Sequence, residues 1–354
     1  MAAFNKGDIS EGILAAAITA RFCSKSKDIV SRDVLNIIKK LNSPKTGTKG
    51  STTITEFDSP NADPSITDTV ICKVNLANIN MSAFLSQSTY RNKEVSSLVT
   101  SACAYANGRY IKEWADCVYN NNQKNRIDIN SEGLLDQTGT KVDLKILIDG
   151  IPAGVSVSLK AEDIKQFGQI GGSKWESMES LFVPFGVKFT QRIEQQYNEL
   201  IADKKLAPAL TLAYTEAYKQ IKNLAEKDQT KLRKNISEFI KYHATLNEEN
   251  VVLVQLTGGG AVVYDFTELN KKLRGVQIDI NLKSGVTDKL NGYVGGSSIP
   301  KLEFTAKVDS KEQSLLQIRM KLEGNRISSK GKKLSLVVRN YIEKGKALQQ
   351  LIAE

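Results

Sequence analysis

Between residues 141 and 165 the apolar positions fall on alternate residues twice over, with a turn between the two runs. In KVDLKILI, Val142, Leu144, Ile146 and Ile148 are apolar, and Asp143 and Lys145 stand between them. After Asp149-Gly150-Ile151-Pro152 the alternation resumes with Val155, Val157 and Leu159, interleaved by Ser156, Ser158 and Lys160. Period-two alternation about an Asp-Gly signal predicts a β-hairpin with one buried face. A four-residue loop over 149–152 would pair Ile148 with Ala153 and set Asp143 opposite Ser158. Lys160 then lies one step along the same polar face. An aspartate, a hydroxyl and a lysine are thereby gathered above an apolar floor.

Ahead of the hairpin the pattern is mainly helical. EGILAAAITARF predicts a helix capped by Asp8 or Ser10, apolar enough to pack under a sheet, with Glu11 the sole acid in its first turns. A second helix from Ser31 has Asp33 in its first turn and Val34, Leu35, Ile37, Ile38 and Leu41 as its buried side. Residues 43–66, rich in Ser, Thr, Pro and Gly, predict an irregular loop. TDTVICKVNL suits a strand or a lead into the next helices, and 93–119 is helical with a break at Asn107-Gly108. NRIDIN alternates as a short strand before the hairpin.

Beyond Lys160, AEDIKQFGQIGG has the acidic start and glycine end of a helix. Residues 187–244 predict two or three long helices interrupted at Ala207-Pro208. NVVLVQL and AVVYDF flank Gly258-Gly259-Gly260 as a strand pair. With no GK[ST] following and a strand on either side, that glycine run is a turn rather than a phosphate loop. Past 275 the signal is β, closed by a helix from about Ser335 to Ala353.

Composition narrows the chemistry. With 354 residues and 41% hydrophobic content the chain can bury a large core. Its longest apolar run, near residues 13–22, is far short of the roughly 18 residues of a membrane span. The start lacks the pattern of a secretory peptide. Cys23, Cys72, Cys103 and Cys117 are scattered without a CxxC pair, so neither a disulfide framework nor a zinc site is indicated. The expected location is the cytoplasm of a bacterial cell or phage-infected host. His243 is the only histidine, which excludes two-histidine zinc chemistry; it is expected at the surface or end of a helix. The helical aromatics Tyr105, Tyr110, Trp114 and Tyr119 are expected in the core rather than stacked on bases.

The net charge of +10 is unevenly spread. Residues 271–354 carry 17 Lys and Arg against 8 Asp and Glu, a difference of +9. A localised basic excess suits a polyanion, most simply nucleic acid, or else a generically soluble basic domain. Lys330, Lys332 and Lys333 in SSKGKK, with Arg339 beyond them, are the most open candidates. Arg319 and Lys321 alternate in LLQIRMKL and would share one strand face.

An acid-bearing helix, three antiparallel strands with Asp143 on the second and xxK ending the third at Lys160, then a helix and a further strand, resemble the PD-(D/E)XK nuclease superfamily. Asp143 and Lys160 are separated by sixteen residues. Glu11 matches the glutamate many members carry on the first helix, and Gln166 or Gln169 the glutamine that some place on the helix after the lysine. The chain departs from the pattern at Ser158, where the family has Glu or Asp. Some branches with a hydroxyl there recruit a carboxylate from the following helix. Glu162 is the first candidate, ahead of Asp163, Glu176 and Glu179, with Glu132 and Asp136 on the preceding connection.

The resemblance implies an α/β (α+β) restriction-endonuclease-like core, with a central mixed sheet flanked by helices, over residues 1–270. The helices of about 187–244 are an insertion in it, and 271–354 form a basic β-rich DNA-binding region ending in a helix. It implies a Mg²⁺-dependent DNA endonuclease, with Mn²⁺ able to substitute. Asp143, the Leu159 carbonyl, Glu11 and Glu162 would hold the metal, a hard ion that takes oxygen ligands. Lys160 would orient or deprotonate the attacking water. Site-specific cutting of double-stranded DNA is favoured, by a protein that could act as a homodimer. The alternatives are a structure-specific junction resolvase, an inert nucleic-acid-binding protein on the same fold, and a phage structural protein. For Asp143 and Lys160 themselves the competing expectation is a sheet-surface ion pair, with Lys145 as the other possible partner, worth about 0–1 kcal/mol.

Overall fold

A computed structural model describes residues 6–24, 27–40, 52–60, 69–77, 93–120, 126–131, 142–152, 156–160, 165–203, 205–246, 251–257, 260–284, 300–323 and 337–353. The chain divides into two compact units. The first takes residues 1–164, 245–265 and the last residue; the second takes 165–244 and 266–353. The helices of 187–244 therefore group with the C-terminal strands, not with the hairpin as an insertion into it.

The first unit contains α1 (Lys6–Phe22), α2 (Ser31–Lys40), β1 (Thr52–Pro60), β2 (Thr69–Ala77), α3 (Lys93–Asn107) and α4 (Arg109–Asn120). These are followed by β3 (Arg126–Ser131), β4 (Leu144–Ile148), β5 (Ile151–Pro152), β6 (Ser156–Lys160), β8 (Val251–Thr257) and β9 (Gly260–Asp265). Its strands form one mixed sheet in the order β1-β2-β3-β4-β6-β8-β9, with β5 paired to β4. β3, β4 and β6 run antiparallel in turn, and β8 is parallel to β6.

One face of this sheet carries Ile127, Ile129, Leu144, Ile146, Val157, Val252 and Val254, all in one buried cluster with α1 to α4. Within α1, Ile13 to Ile18 are buried on every side, as expected of a helix apolar all round. That helix begins earlier than the chain pattern predicts, so Asp8 and Ser10 lie inside it rather than at its cap. In α2 the expected Val34, Ile37 and Ile38 are buried, and Asp33 accepts the Val30 N–H at 2.9 Å, half of a capping box. Tyr105 is buried and Trp114 half-buried, in the core as expected. The expected 43–66 loop is corrected in part, because Thr52–Pro60 pairs residue for residue with β2. Its Thr and Ile favour a pleated strand, and its proline is confined to the end of a strand that pairs on one side.

The second unit contains β7 (Gln166–Gly171), α5 (Trp175–Phe182), α6 (Gln191–Ala202), α7 (Leu206–Lys227) and α8 (Gln229–Thr245). It continues with α9 (Leu269–Lys272), β10 (Ile278–Ser284), β11 (Pro300–Val308), β12 (Lys311–Glu323), β13 (Val337–Lys344) and α10 (Lys346–Ile352). Five antiparallel strands lie in the order β10-β11-β12-β13-β7. Ile280, Phe304, Leu316 and Ile342 belong to its apolar face, and Phe185 stacks on Phe304 with ring centroids 5.1 Å apart. Ala207-Pro208 starts α7 instead of breaking it, since proline is tolerated in a first helical turn.

Two expected helices are corrected. In the stretch after Lys160, Gln166–Gly171 is strand β7, hydrogen-bonded to β13. In it Gly168 lies where a Cβ would come 2.7 Å from His243 Cβ, a close approach that only glycine permits. The closing helix is reduced to Lys346–Ile352, since 337–344 belong to β13. Gly345 ends that strand, its N–H bonded to the Leu315 carbonyl at 3.0 Å; a Cβ there would collide with Ser314 O. His243 is in the last turn of α8 but buried against Phe239, not at the surface.

Candidate functional site

The hairpin is built at its tip by Asp149-Gly150, with φ of 52° and 81°. Two successive left-handed residues make the two-residue turn that best fits strand twist, so Ile148 pairs with Ile151 and not with Ala153. Lower down, Leu144 pairs with Val157. Between these pairings the second strand takes up two extra residues. The base of the hairpin thus regains the predicted register, with Asp143 opposite Ser158.

Alternation then assigns positions. Val157 and Leu159 belong to the face packed by α1, while Ser156, Ser158 and Lys160 take the other. The Asp143 carboxylate turns to the sheet backbone: its Oδ2 accepts the Leu159 N–H at 2.5 Å, and the Asp143 N–H donates to the Val157 carbonyl at 2.8 Å. Ser158 is only 1% exposed, and its Oγ is a buried hydroxyl with no hydrogen-bond partner among the described residues. Lys160 is half-buried and makes no hydrogen bond or ion pair among the described residues. Neither Lys160 nor Lys145 pairs with Asp143, so the simple surface ion pair is not what holds these residues.

Two further polar side chains join this face. Gln255, the register partner of Lys160 on β8, is buried, and its Oε1 accepts the Tyr264 hydroxyl at 3.2 Å. Tyr264 pairs with Leu253, itself beside Ser158. Sequence reasoning passed over both. The usable signal was a glutamine inside the otherwise apolar run VVLVQL, which a buried strand accommodates only if its amide is hydrogen-bonded.

The remaining candidates scatter. Glu11 is buried in the second turn of α1, in the helical layer of the opposite sheet face. Glu162 and Asp163, like Glu132 and Asp136, lie outside the described residues. Gln166 and Gln169 are on β7 in the second unit, not on a helix after the lysine, and are hydrogen-bonded to each other at 3.1 Å. Glu176 and Glu179 are on α5 of that unit, both exposed. Among the described residues, no three His, Cys, Asp or Glu side chains form a group able to hold a metal.

Of the basic candidates, Arg319 and Lys321 are on β12 and Arg339 on β13 of the five-stranded sheet. Lys301 pairs with Arg319, Arg319 with Tyr341, Tyr341 with Gln169, and Lys283 with Lys301, so these five residues form one row across the strands. Lys321 pairs with Arg339 in the row beside it. Carboxylates lie below the cations: Lys283 is 52% exposed over Glu303 at 8%, and Arg319 39% over Glu343 at 14%. Arg319 donates to Glu343 at 2.7 Å, and its guanidinium lies 5.5 Å from the Tyr341 ring centre. Burial raises the Glu303 carboxyl, but its hydrogen bonds with Lys283 and Ser314 and the charges of Lys283 and Lys301 outweigh this and hold it below the ordinary value. Lys330, Lys332 and Lys333 fall outside the described residues.

Comparison of the chain with protein-family models, with curated proteins and with solved structures finds no match in any of the three. The fold is mixed α/β, with a mixed sheet flanked by helices, and among the described residues no helix is long and apolar enough to cross a membrane.

Proposed function

We propose that the protein is a metal-dependent DNA endonuclease, its chemistry centred on Asp143 and Lys160 and its DNA gripped by the basic C-terminal strands. The observation that carries this is the half-buried Lys160, without a side-chain partner among the described residues, on the same sheet face as Asp143. A lysine whose stem packs on the protein while its ammonium stays unengaged can turn that charge to a bound anion. A scissile phosphate with its attacking water is such a target. The strand order β3-β4-β6 followed by a parallel β8 agrees with the core that the Asp143 and Lys160 spacing resembles.

The donor set meets the lower bound for Mg²⁺. That ion takes one or two carboxylates and fills its other positions with water and substrate phosphate oxygens. Asp143 would supply a carboxylate, Leu159 a carbonyl and Ser158 an oxygen that has no partner among the described residues. Glu162 on the segment after Lys160 is the proposed second acid. Bound metal would supply a hydroxide near neutral pH and offset charge on the phosphate. Lys160 would hold the water in line and donate to the oxygen on which negative charge develops. Arg319, Lys321 and Arg339, with Lys330, Lys332 and Lys333, would neutralise duplex phosphates, and Mn²⁺ would replace Mg²⁺. Cutting both strands calls for two active sites, hence a homodimer, and a site-specific duplex is favoured over a branched junction.

A second reading has its own support. The hydroxyl at 158 and the lack of an acid cluster among the described residues suit an inert nucleic-acid-binding protein on the same fold. One experiment separates the two. Purified protein is incubated with plasmid and with branched DNA, in Mg²⁺, Mn²⁺ or EDTA, beside Asp143→Ala and Lys160→Ala. Metal-dependent cleavage lost in both variants, with DNA binding by fluorescence anisotropy retained, supports the nuclease. Retained binding without any cleavage by the wild-type protein leaves the inert binder.

A further inference from the structure

In the second unit an open cavity of about 710 Å³, lined by charged and polar residues, lies beside the start of α8. Lys231, Arg233 and Lys234 of α8 and Arg274 of the turn after α9 line it, against one carboxylate, Asp228. Four cations and one anion leave the wall at +3. The lone acid is already engaged, because Asp228 Oδ1 accepts the Lys231 backbone N–H at 2.9 Å as the cap of α8.

The cations differ in how they are held. Arg233 is anchored, donating to the Val276 carbonyl and to Thr230 Oγ1, each at 3.1 Å. Lys234 has only a 3.8 Å contact with Glu238, both heads well exposed. The side chains of Lys231 and Arg274 have no hydrogen-bond or ion-pair partner among the described residues. The same is true of the amides of Asn235 and Asn270, which also line the cavity. A concave wall with cations and amide donors and no spare carboxylate focuses positive potential inward. Its volume lies in the range of small-molecule sites, well above what a single small ion fills.

We propose that this cavity binds a small ligand bearing a di- or polyphosphate group. Arg274 and Lys231 would bear on the phosphate oxygens, Arg233 would be preset by its backbone anchor, and the two asparagine amides would donate beside them. A guanidinium matches phosphate geometry with two parallel donors, and an ammonium adds a point charge. The proposal is independent of the nuclease reading, since none of its residues belongs to the hairpin site and its test reads no cleavage.

Isothermal titration of the full chain in EDTA, with ATP and with pyrophosphate as probes, decides it. Saturable binding at one site per chain is expected, weakened about tenfold or more in the Lys231→Ala/Arg274→Ala double variant, which removes two charge-assisted contacts. Both positions are exposed, so the fold should survive. Lys307→Ala/Lys311→Ala, an exposed pair on β11 and β12 with the same loss of charge, should bind like the wild type. ATP binding alone means that the nucleoside is recognised too, and equal binding of pyrophosphate means that the phosphates suffice; either supports the site. No saturable binding of either probe overturns the proposal, as does an equal loss in the control pair.

Discussion

Replacing Ser158 by alanine tests the hairpin site through the sign of a stability change. The hydroxyl is buried and has no partner among the described residues, and Ser158 is 1% exposed. An unsatisfied buried polar group costs about 1–3 kcal/mol in lost hydration. Removing the oxygen relieves that cost and forfeits a few dispersion contacts, each about 0.1–0.2 kcal/mol. Ser158→Ala should therefore stabilise the first unit by about 0.5–2 kcal/mol. A serine making an ordinary hydrogen bond would behave in the opposite way and lose about 1 kcal/mol on substitution. For a unit of this size each kcal/mol moves the midpoint by about 2–4 °C, within reach of thermal unfolding followed by circular dichroism. If the hydroxyl is kept for function, the same variant should melt higher yet cleave DNA more slowly, the usual exchange of stability for activity. A lowered midpoint would show that the oxygen has a partner, and would remove it from the proposed donor set.

Two further perturbations bear on the second unit. Gly168→Ala would bring a Cβ to 2.7 Å from His243 Cβ, an atom fixed to the α8 backbone that cannot swing aside. It should cost about 1–3 kcal/mol as overpacking, and an unchanged urea midpoint would refute the close approach. For Glu303 the folded value lies below the unfolded 4.5, so its contribution is complete above 4.5 and is lost as pH falls through the lower folded value. Glu303→Gln should thus be less stable than wild type near neutrality and converge with it in acid. A difference that does not shrink between about pH 7 and pH 3 would contradict the Lys283 pairing.

How much of this could be read from the chain depends on the range of the interactions. Alternation in 141–160 carried the hairpin, the shared face of Asp143, Ser158 and Lys160, and the apolar floor, because neighbouring residues in a strand point to opposite sides whatever surrounds them. The run EGILAAAITARF is apolar enough to pack under a sheet, and α1 is buried there. The tip needed backbone detail: Asp149-Gly150 alone closes the turn, which composition placed in the right spot with two residues too many. What covers a face is another matter. Ser158 reads as an open polar position in the sequence and is enclosed in the structure, and KQFGQ looks helical until it finds β13 as a partner over 160 residues away. The row Lys283–Lys301–Arg319–Tyr341–Gln169 has no trace in the linear order, since its members come from five strands and only their register aligns them. Local alternation decides which way a side chain faces. Only long-range pairing decides what it meets there, because the free energy of burial and hydrogen bonding belongs to partners that the chain brings together late.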